Sequence, residues 1–177
     1  MVALSHGRHR QPDSIILIGM PGVGKSTVGP LLARRTGRLF LDCDALLTAQ
    51  EGRGLQEIVD SGGHFALRAI EARLLMTISA SHHVIATGGS AVYSDLAMRH
   101  LKTLGRVVWL RLDLDELTRR LGDFTARGLV KRPEQTLADL NAERQPLYQR
   151  HAAVVVDCAG LNPAEVVKKI LRALGEG

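Results

Sequence analysis

Residues 14–27 read SIILIGMPGVGKST, and this short stretch predicts the fold class of the whole chain. It opens with a run of mostly apolar residues that is typical of a buried strand. It continues into the pattern G-x-x-x-x-G-K-[ST], whose glycines let backbone N–H groups turn inward around phosphate groups. A helix that starts directly after the glycines adds the partial positive charge of its N-terminus. The order of strand, glycine turn and helix therefore predicts a P-loop, a binding site for a nucleoside triphosphate.

The P-loop also predicts roles for its individual residues. Lys25 is expected to reach the β- and γ-phosphates and to be catalytic, and the Ser26 hydroxyl is expected to bind Mg²⁺. The residues of the motif predicted to bind ATP are Gly22, Val23, Gly24, Lys25, Ser26 and Thr27. The motif does not indicate which molecule receives the phosphate.

Downstream of the P-loop, short apolar runs alternate with longer amphipathic segments. Strands are predicted at 14–18, 38–42, 84–86, 106–112 and 153–157. Predicted helices include 26–36, 55–59, 62–80, 94–104, 136–150 and 162–174. This alternation predicts an α/β fold, in which helices cover both faces of a parallel sheet and ligands bind at the carboxyl ends of the strands. The chemically unusual segments each follow a predicted strand and lie at 19–25, 42–44, 87–90 and 157–162.

Length and composition bound the domain organisation and exclude several classes of protein. The chain has 177 residues and is 45% hydrophobic, so we expect one domain at 13–177 after a polar tail at 1–12. No apolar run is long enough to span a membrane, and the tail lacks the apolar region of a secretory signal. A net charge of +5 suits anionic ligands, whereas an aromatic content of 3% argues against nucleic acid as a partner. The two cysteines lack metal-ligand spacing and indicate reduced thiols in a cytoplasmic protein, which we expect to be a monomer.

Two carboxylates at the end of the second predicted strand are candidates for the acceptor side. Asp42 and Asp44 flank Cys43, and because side chains alternate along a strand, both would leave on the same side, about 7 Å apart. Such a pair needs a cation or a donor, so we expect Asp42 to order the water shell of Mg²⁺ and Asp44 to hold a substrate hydroxyl. The alternative is a solvated strand end followed by a helix N-cap.

Three further features could contribute to an acceptor site. Arg68 and Glu71 lie three positions apart, so a helix could hold them as an ion pair, although a plain surface pair is the simpler interpretation. The segment 87–90, TGGS, brings backbone without side chains to a strand end, which suits a ligand or a plain turn equally. Arg144 lies near the end of a predicted helix and indicates little by itself.

Taken together, these segments resemble the shikimate kinase family. Its marks are a P-loop with G-K-[ST], D-x-D at the second strand, F-R-x-x-E, T-G-G-G, a lid with R-P-L-L, and E-R-x-P-L-Y. The corresponding segments keep the family's order and lie at 24–27, 42–44, 67–71, 87–90, 127–130 and 143–148. Only the P-loop is specific by itself, but the ordered set, which spans about 14–174, is highly specific.

The resemblance implies a three-layer α/β/α P-loop kinase with a five-stranded parallel sheet in the order 2-3-1-4-5. It implies transfer of phosphate from ATP·Mg²⁺ to shikimate, with the acceptor region at about 44–92. Asp44 would hold the acceptor hydroxyl and take its proton, and Arg68 and Arg144 would bind the substrate carboxylate. Gly88 and Gly89 would line the acceptor pocket.

The resemblance also implies residues around the nucleotide. Arg127, on a short mobile lid at about 122–136, would bind ATP and act in catalysis by closing over the phosphates. Arg132, which precedes a proline, is a competing candidate for the lid arginine. Arg120 and the loop at 157–162 would border the adenine.

Departures from the family pattern fall on the acceptor side and the lid. The third glycine of the turn is Ser90, the lid reads RGLV, and the phenylalanine before Arg68 is Leu67. Phe65 is close enough in sequence to fill the space of that phenylalanine. Because the departures leave the ATP side intact, a kinase for another small hydroxy acid, such as homoserine, stays an alternative.

Two other classes of protein compete with this interpretation. A nucleoside-monophosphate kinase usually has glycine after Gly-Lys, where this chain has Ser26. A catalytically silent ATP-binding sensor usually lacks the lysine, the metal hydroxyl or the acceptor carboxylate, whereas Lys25, Ser26 and Asp44 are all present. Both alternatives are therefore disfavoured.

Overall fold

The computed structural model describes residues 12–121 and 134–176. Five strands, seven α-helices and one short 3₁₀ turn make up this part of the chain. In chain order they are β1 (Ser14–Ile18), α1 (Lys25–Thr36), β2 (Leu39–Asp42), α2 (Cys43–Glu51), α3 (Leu55–Thr77), β3 (His83–Ala86), the 3₁₀ turn (Ala91–Tyr93), α4 (Asp95–Leu104), β4 (Gly105–Arg111), α5 (Leu114–Leu121), α6 (Leu137–His151), β5 (Val154–Asp157) and α7 (Pro163–Leu174).

The five strands form one parallel sheet in the order β2-β3-β1-β4-β5. Ile15 of β1 lies opposite Val84 of β3 on one side and Arg106 of β4 on the other. Every residue of β1 is buried, because strands flank it and helices cover it. The predicted sheet order is confirmed, and it places the P-loop, which follows β1, at the centre of the sheet.

Two groups of helices cover the sheet and complete the three layers. On one side α1 contacts β2, β3 and α7, and in the second group α3 packs against α4, which contacts β4. One large hydrophobic cluster joins strands and helices, and a smaller one lies between α2 and α3. No helix within residues 12–121 and 134–176 has the length and hydropathy needed to cross a membrane.

The best predicted helix ends are those with local capping signals. Asn162 accepts a hydrogen bond from the Glu165 backbone at 3.1 Å, the Glu165 side chain accepts one from the Asn162 backbone at 2.8 Å, and Pro163 starts α7. Gly37 ends α1 with a φ of 69°, as its position after the predicted helix indicated.

The helix α2 was not predicted, and it changes the geometry expected for the two aspartates. The strand ends at Asp42, whose Oδ1 accepts hydrogen bonds from the backbones of Asp44 at 3.0 Å and Ala45 at 3.2 Å. The expected strand alternation from Asp42 to Asp44 is therefore wrong, and the N-cap alternative is correct. Aspartate is a strong N-cap residue because its carboxylate accepts from the free N–H groups of the first turn.

The two helices predicted at 55–59 and 62–80 form one element, α3, with a break inside it. Gly63 has φ 74° and ψ 173°, a combination that is essentially restricted to glycine. Two helical segments on either side of this residue agree with the prediction, but the boundary lies at Gly63 and the helix ends at Thr77.

Candidate active site

The P-loop connects β1 to α1 at the centre of the sheet. Gly22 and Gly24 have φ of 78° and 109°, values that favour glycine. Gly24 is the N-cap residue of α1, so the free N–H groups of the first turn face the loop. A Cβ on Gly22 would lie 2.8 Å from Leu121 Cδ2, so a side chain there would also displace Leu121. This backbone has the form of an anion-binding loop at a helix N-terminus.

Lys25 begins α1, and its side chain is buried beside the P-loop. Its Nζ donates hydrogen bonds to the backbone oxygens of Gly19 at 2.7 Å and Met20 at 3.0 Å. Burial lowers the pKa of Lys25 to about 8, and the negative charge of Asp44 partly opposes this shift. The ammonium group therefore lies between the loop and the carboxylates that follow β2.

An open cleft of about 310 Å³ joins the P-loop to the end of β2. The side chains that line it include Lys25, Ser26, Thr27, Asp42 and Asp44. Ser26 and Thr27 are exposed to the cleft. Hydroxyl and carboxylate oxygens are the ligands that Mg²⁺ prefers, so the donors present fit this ion.

Asp44 lies in the first turn of α2, one residue after the start of the helix. Asp44 is exposed to the cleft, and the protein atoms around it displace part of the water near its carboxyl group. The resulting desolvation raises the pKa of Asp44, while the positive charge of Lys25 partly opposes the rise. A carboxylate of this kind can accept a hydrogen bond from a substrate hydroxyl and take its proton.

The glycine turn after β3 separates these carboxylates from a buried arginine. A Cβ on Gly88 would lie 2.7 Å from Asp44 Oδ1 and would overlap Glu71 Oε1. A Cβ on Gly89 would lie 2.8 Å from Arg144 Nη1. Close approach therefore requires glycine at both positions, and the bare backbone separates an acidic side from a basic side.

Glu71 is the acidic residue most deeply enclosed beside the turn, with 4% of its surface exposed. Its Oε2 accepts a short hydrogen bond from the Ser90 hydroxyl, and its Oε1 has no hydrogen-bond partner among the described residues. Burial raises the pKa of Glu71 to about 7, and the hydrogen bond from Ser90 partly opposes the rise. Glu71 is therefore neither part of the surface pair nor of the ion pair with Arg68 that the sequence offered, since it is buried and bonded to the turn.

Arg68 of α3 and Arg144 of α6 converge on Tyr93, the last residue of the 3₁₀ turn. Arg68 Cζ lies 3.5 Å from the centroid of the Tyr93 ring, and Arg68 Nη2 lies 3.8 Å from Glu143 Oε1. Arg144 is completely buried, and its Nε donates a hydrogen bond to Tyr93 Oη at 3.3 Å. The two arginines that the sequence indicated only separately are therefore neighbours in the structure.

Arg120 contacts the P-loop, and the loop after β5 follows the edge strand opposite β2. Arg120 Nη1 donates to the Val23 backbone oxygen at 3.3 Å, and its Nε pairs with Glu116 Oε1 at 2.7 Å. At the end of β5, Asp157 pairs with Arg111 at 2.8 Å. The predicted nucleotide-side residue Arg120 thus contacts the P-loop backbone directly.

The predicted lid arginine lies outside the described residues. The residues outside the described ranges include Arg127, its competitor Arg132 and most of the lid at 122–136. They also include the tail up to residue 11. The described end of the lid segment includes Gln135, whose Nε2 donates to Glu143 Oε2 at 2.6 Å.

Two residues of the arginine cluster were missed from sequence. Tyr93 Oη donates a hydrogen bond to Glu143 Oε1 at 2.6 Å, so both contact the predicted arginines. Glu143 could have been found from sequence, because it belongs to the segment E-R-x-P-L-Y. Tyr93 belongs to no family segment, and only its place after the glycine turn indicated that it lies near the site. Leu67 is 2% exposed and belongs to the core, whereas Phe65 is 69% exposed and its ring centroid lies 5.7 Å from Arg68 Cζ, so its replacement of the family's phenylalanine stays a prediction.

The central P-loop, the parallel sheet and the cleft at its carboxyl edge define an α/β P-loop kinase. Comparison with known proteins gives the family. The family model for shikimate kinase matches residues 21–175. Shikimate kinases from Thermodesulfovibrio yellowstonii and Streptomyces avermitilis are 36% and 39% identical over 162 residues, which cover 90% of this chain and 93% and 94% of those proteins.

The solved structure of a shikimate kinase from Acinetobacter baumannii in complex with shikimate superimposes with a TM-score of 0.84. It is 32% identical, and the alignment covers 92% of each chain. This chain belongs to the shikimate kinase family. The predicted family, the fold and the activity of a phosphotransferase with an alcohol acceptor are therefore confirmed.

Proposed function

We propose that this chain transfers the γ-phosphoryl group of ATP to shikimate and releases ADP and 3-phosphoshikimate. The proposal is carried by one juxtaposition, in which Lys25, Asp44 and Arg144 surround the same glycine turn. These groups can bind a triphosphate, a hydroxyl and a carboxylate respectively, which are the groups that the two substrates bring. The similar Acinetobacter baumannii structure is a complex with shikimate, which supports this acceptor.

On the donor side, the P-loop residues 22–27 bind the phosphates through backbone N–H groups, and Arg120 borders the nucleotide. Ser26 and Asp42 would hold Mg²⁺, Asp42 through water as the resemblance to the family implies, since both line the cleft and offer oxygen ligands. When held there, Mg²⁺ would supply positive charge that offsets the negative charge of the phosphates. In this proposal Arg127 closes over the phosphates, as the resemblance to the family implies.

On the acceptor side, Arg68 and Arg144 bind the substrate carboxylate, for which planar guanidinium groups are suited. Gly88 and Gly89 line the pocket, where an added side chain would collide with Asp44 or Arg144. Asp44 accepts a hydrogen bond from the reacting hydroxyl.

The chemistry needs little covalent help from the protein. The hydroxyl oxygen of the acceptor forms a bond to the γ-phosphorus, and the bond from that phosphorus to the β,γ-bridging oxygen breaks. The hydroxyl proton passes to Asp44, whose raised pKa favours its uptake. Lys25 stabilises the negative charge on the transferred group and on the departing ADP.

The position of Ser90 removes one reason for preferring another hydroxy acid, such as homoserine, over shikimate. An exposed hydroxyl at this position would add a polar contact to the acceptor pocket. Ser90 is instead buried and donates to Glu71, so its hydroxyl already has a protein partner.

The cellular setting follows the same proposal. We expect a cytoplasmic monomer that acts on small molecules and does not bind nucleic acid. Cys43 and Cys158 are buried free thiols, which fits a reducing compartment.

A coupled assay of ADP release tests the proposed function. Shikimate, homoserine and AMP are compared at matched concentrations, with ATP and Mg²⁺ constant and with a reaction lacking acceptor. We expect kcat/KM for shikimate to exceed the other values by about 100-fold or more, because a site with buried polar groups rejects acceptors that leave them unpaired. Faster turnover of AMP or homoserine would contradict the choice of acceptor.

A pair of variants links the activity to the P-loop. Lys25→Ala should abolish turnover with an unchanged melting temperature, whereas the exposed Lys102→Ala should behave as the wild type. If no acceptor stimulates ADP release by the wild-type protein, the ATP-binding sensor becomes the better interpretation.

A further inference from the structure

We infer that Tyr93 is a positioning residue that fixes the two arginines in the arrangement needed to bind the carboxylate of the acceptor. The inference rests on the proposed function and adds a specificity-determining residue to it. Its basis is a set of contacts in which one ring touches both arginines.

Tyr93 comes from a different element than either arginine. It ends the 3₁₀ turn that follows the glycine turn, and its backbone N–H donates to the Ser90 oxygen at 3.1 Å. The next residue, Ser94, donates to the Ala91 oxygen at 3.2 Å and caps α4. The backbone on both sides of Tyr93 is thus hydrogen-bonded, so the ring is a fixed reference between α3 and α6.

The contact with Arg68 uses the faces of both groups. Arg68 Cζ lies 3.5 Å from the centroid of the Tyr93 ring, well within the range of a cation–π interaction. A guanidinium that stacks through its face keeps the N–H groups at its edge for a planar anion. Stacking on Tyr93 therefore restrains Arg68 without using the donors that a carboxylate needs.

The contact with Arg144 uses the hydroxyl of the same ring. Arg144 Nε donates to Tyr93 Oη at 3.3 Å, and Tyr93 Oη in turn donates to Glu143 Oε1 at 2.6 Å. Because the hydroxyl has one proton, its bond to Glu143 turns a lone pair toward other donors such as Arg144. Arg144 is completely buried, so a misplaced guanidinium there would be costly.

Glu143 completes the set of contacts around Tyr93. Its second oxygen accepts a hydrogen bond from Gln135 at 2.6 Å, and its first lies 3.8 Å from Arg68 Nη2. Tyr93, Glu143 and the two arginines therefore hold one another in place. The separation of the arginines, which decides how well they fit a carboxylate, is set by Tyr93.

Two substitutions separate the contributions of the ring and the hydroxyl. Tyr93→Phe keeps the stacking on Arg68 and loses the hydrogen bonds, so KM for shikimate should rise about fivefold. Tyr93→Leu loses both contacts, so KM for shikimate should rise about twentyfold or more. KM for ATP should stay within about twofold in both variants, because the P-loop is unchanged. Thr103→Val, which removes an exposed hydroxyl on α4, is the matched control.

The methyl ester of shikimate provides a readout that a purely structural role would not move. It lacks the anionic carboxylate, so the preference of the enzyme for shikimate over the ester should shrink in Tyr93→Leu and partly recover in Tyr93→Phe. An unchanged preference would overturn the inference, as would an equal rise in KM for ATP. A wild-type protein without activity on shikimate would overturn the proposed function itself, and the inference with it.

Discussion

Two carboxylates close to the P-loop differ in what surrounds them, and the difference predicts different behaviour. Asp44 is exposed to the cleft, whereas Glu71 is enclosed and one of its oxygens has no hydrogen-bond partner among the described residues. Sequence could indicate both residues, because each belongs to a recognisable segment. It could not indicate their environments, since those depend on contacts with Lys25 and Ser90 from other elements.

Asp44→Asn tests whether this carboxylate takes the proton of the acceptor. We expect kcat to fall about 100-fold or more with little change in KM for ATP, because asparagine keeps the shape but cannot accept the proton. Steady-state kinetics with each substrate varied in turn measure both quantities. The exposed Asp115→Asn on α5 is the control, and an effect of Asp44→Asn confined to KM for shikimate would reduce Asp44 to a binding group.

Glu71 should make the stability of the protein depend on pH. Its pKa is raised to about 7 in the folded protein, above the 4.5 of an unperturbed glutamate, so the folded state holds the proton more tightly. The favourable contribution is therefore fully present below pH 4.5 and is lost as the pH rises from there through about 7. Glu71→Gln removes this titration, so its melting temperature relative to wild type should be higher at pH 8 than at pH 5.

Thermal unfolding of both proteins across this pH range gives the comparison. The exposed Glu57→Gln on α3 controls for the loss of one negative charge. A constant difference in melting temperature between Glu71→Gln and wild type would contradict the expected titration.

At the scale of elements, the sequence was sufficient to predict helix ends whose capping hydrogen bonds join residues close together in the chain. The capping box of α7 and the glycine that ends α1 bond within a few residues, so the sequence predicts them. The helix α2 was missed because D-C-D satisfies both a strand end and a helix cap, and only the pairing of β2 decides where the strand stops. The 3₁₀ turn was missed because three residues carry no periodicity.

The break in α3 leads to a prediction about an element. Gly63→Ala should destabilise the protein by about 1–3 kcal/mol, because alanine is strained at φ 74° and ψ 173°. No atom lies within 4 Å of an added Cβ, so strain and not collision is the cause. Denaturant unfolding measures the change, and Gly54→Ala, which also has open space but a φ of −71°, is the control. A more stable variant would show that the two segments can join into a regular helix.

At the scale of the whole molecule, the strand order explains why the motifs predicted a site at all. The ends of β2, β3 and β1 are adjacent in the sheet, and they carry the carboxylates, the glycine turn and the P-loop in that order. Neighbouring strands lie about 4.8 Å apart, so segments distant in sequence meet at one edge. The sheet rule was enough to predict this meeting, but not the side-chain contacts of Arg68, Arg144 and Glu71 with the turn region, which no sequence spacing encodes.

The same strand order has a consequence for how the protein acquires activity during folding. The Thr87 backbone N–H donates to the Leu17 oxygen, 70 residues away, and this bond joins the glycine turn to the strand that carries the P-loop. Parallel pairings of such long range form late, because the intervening chain must first be closed into a loop. After dilution from denaturant, helical structure should therefore return before enzymatic turnover, and a nascent chain should stay inactive until the central strand is flanked on both sides.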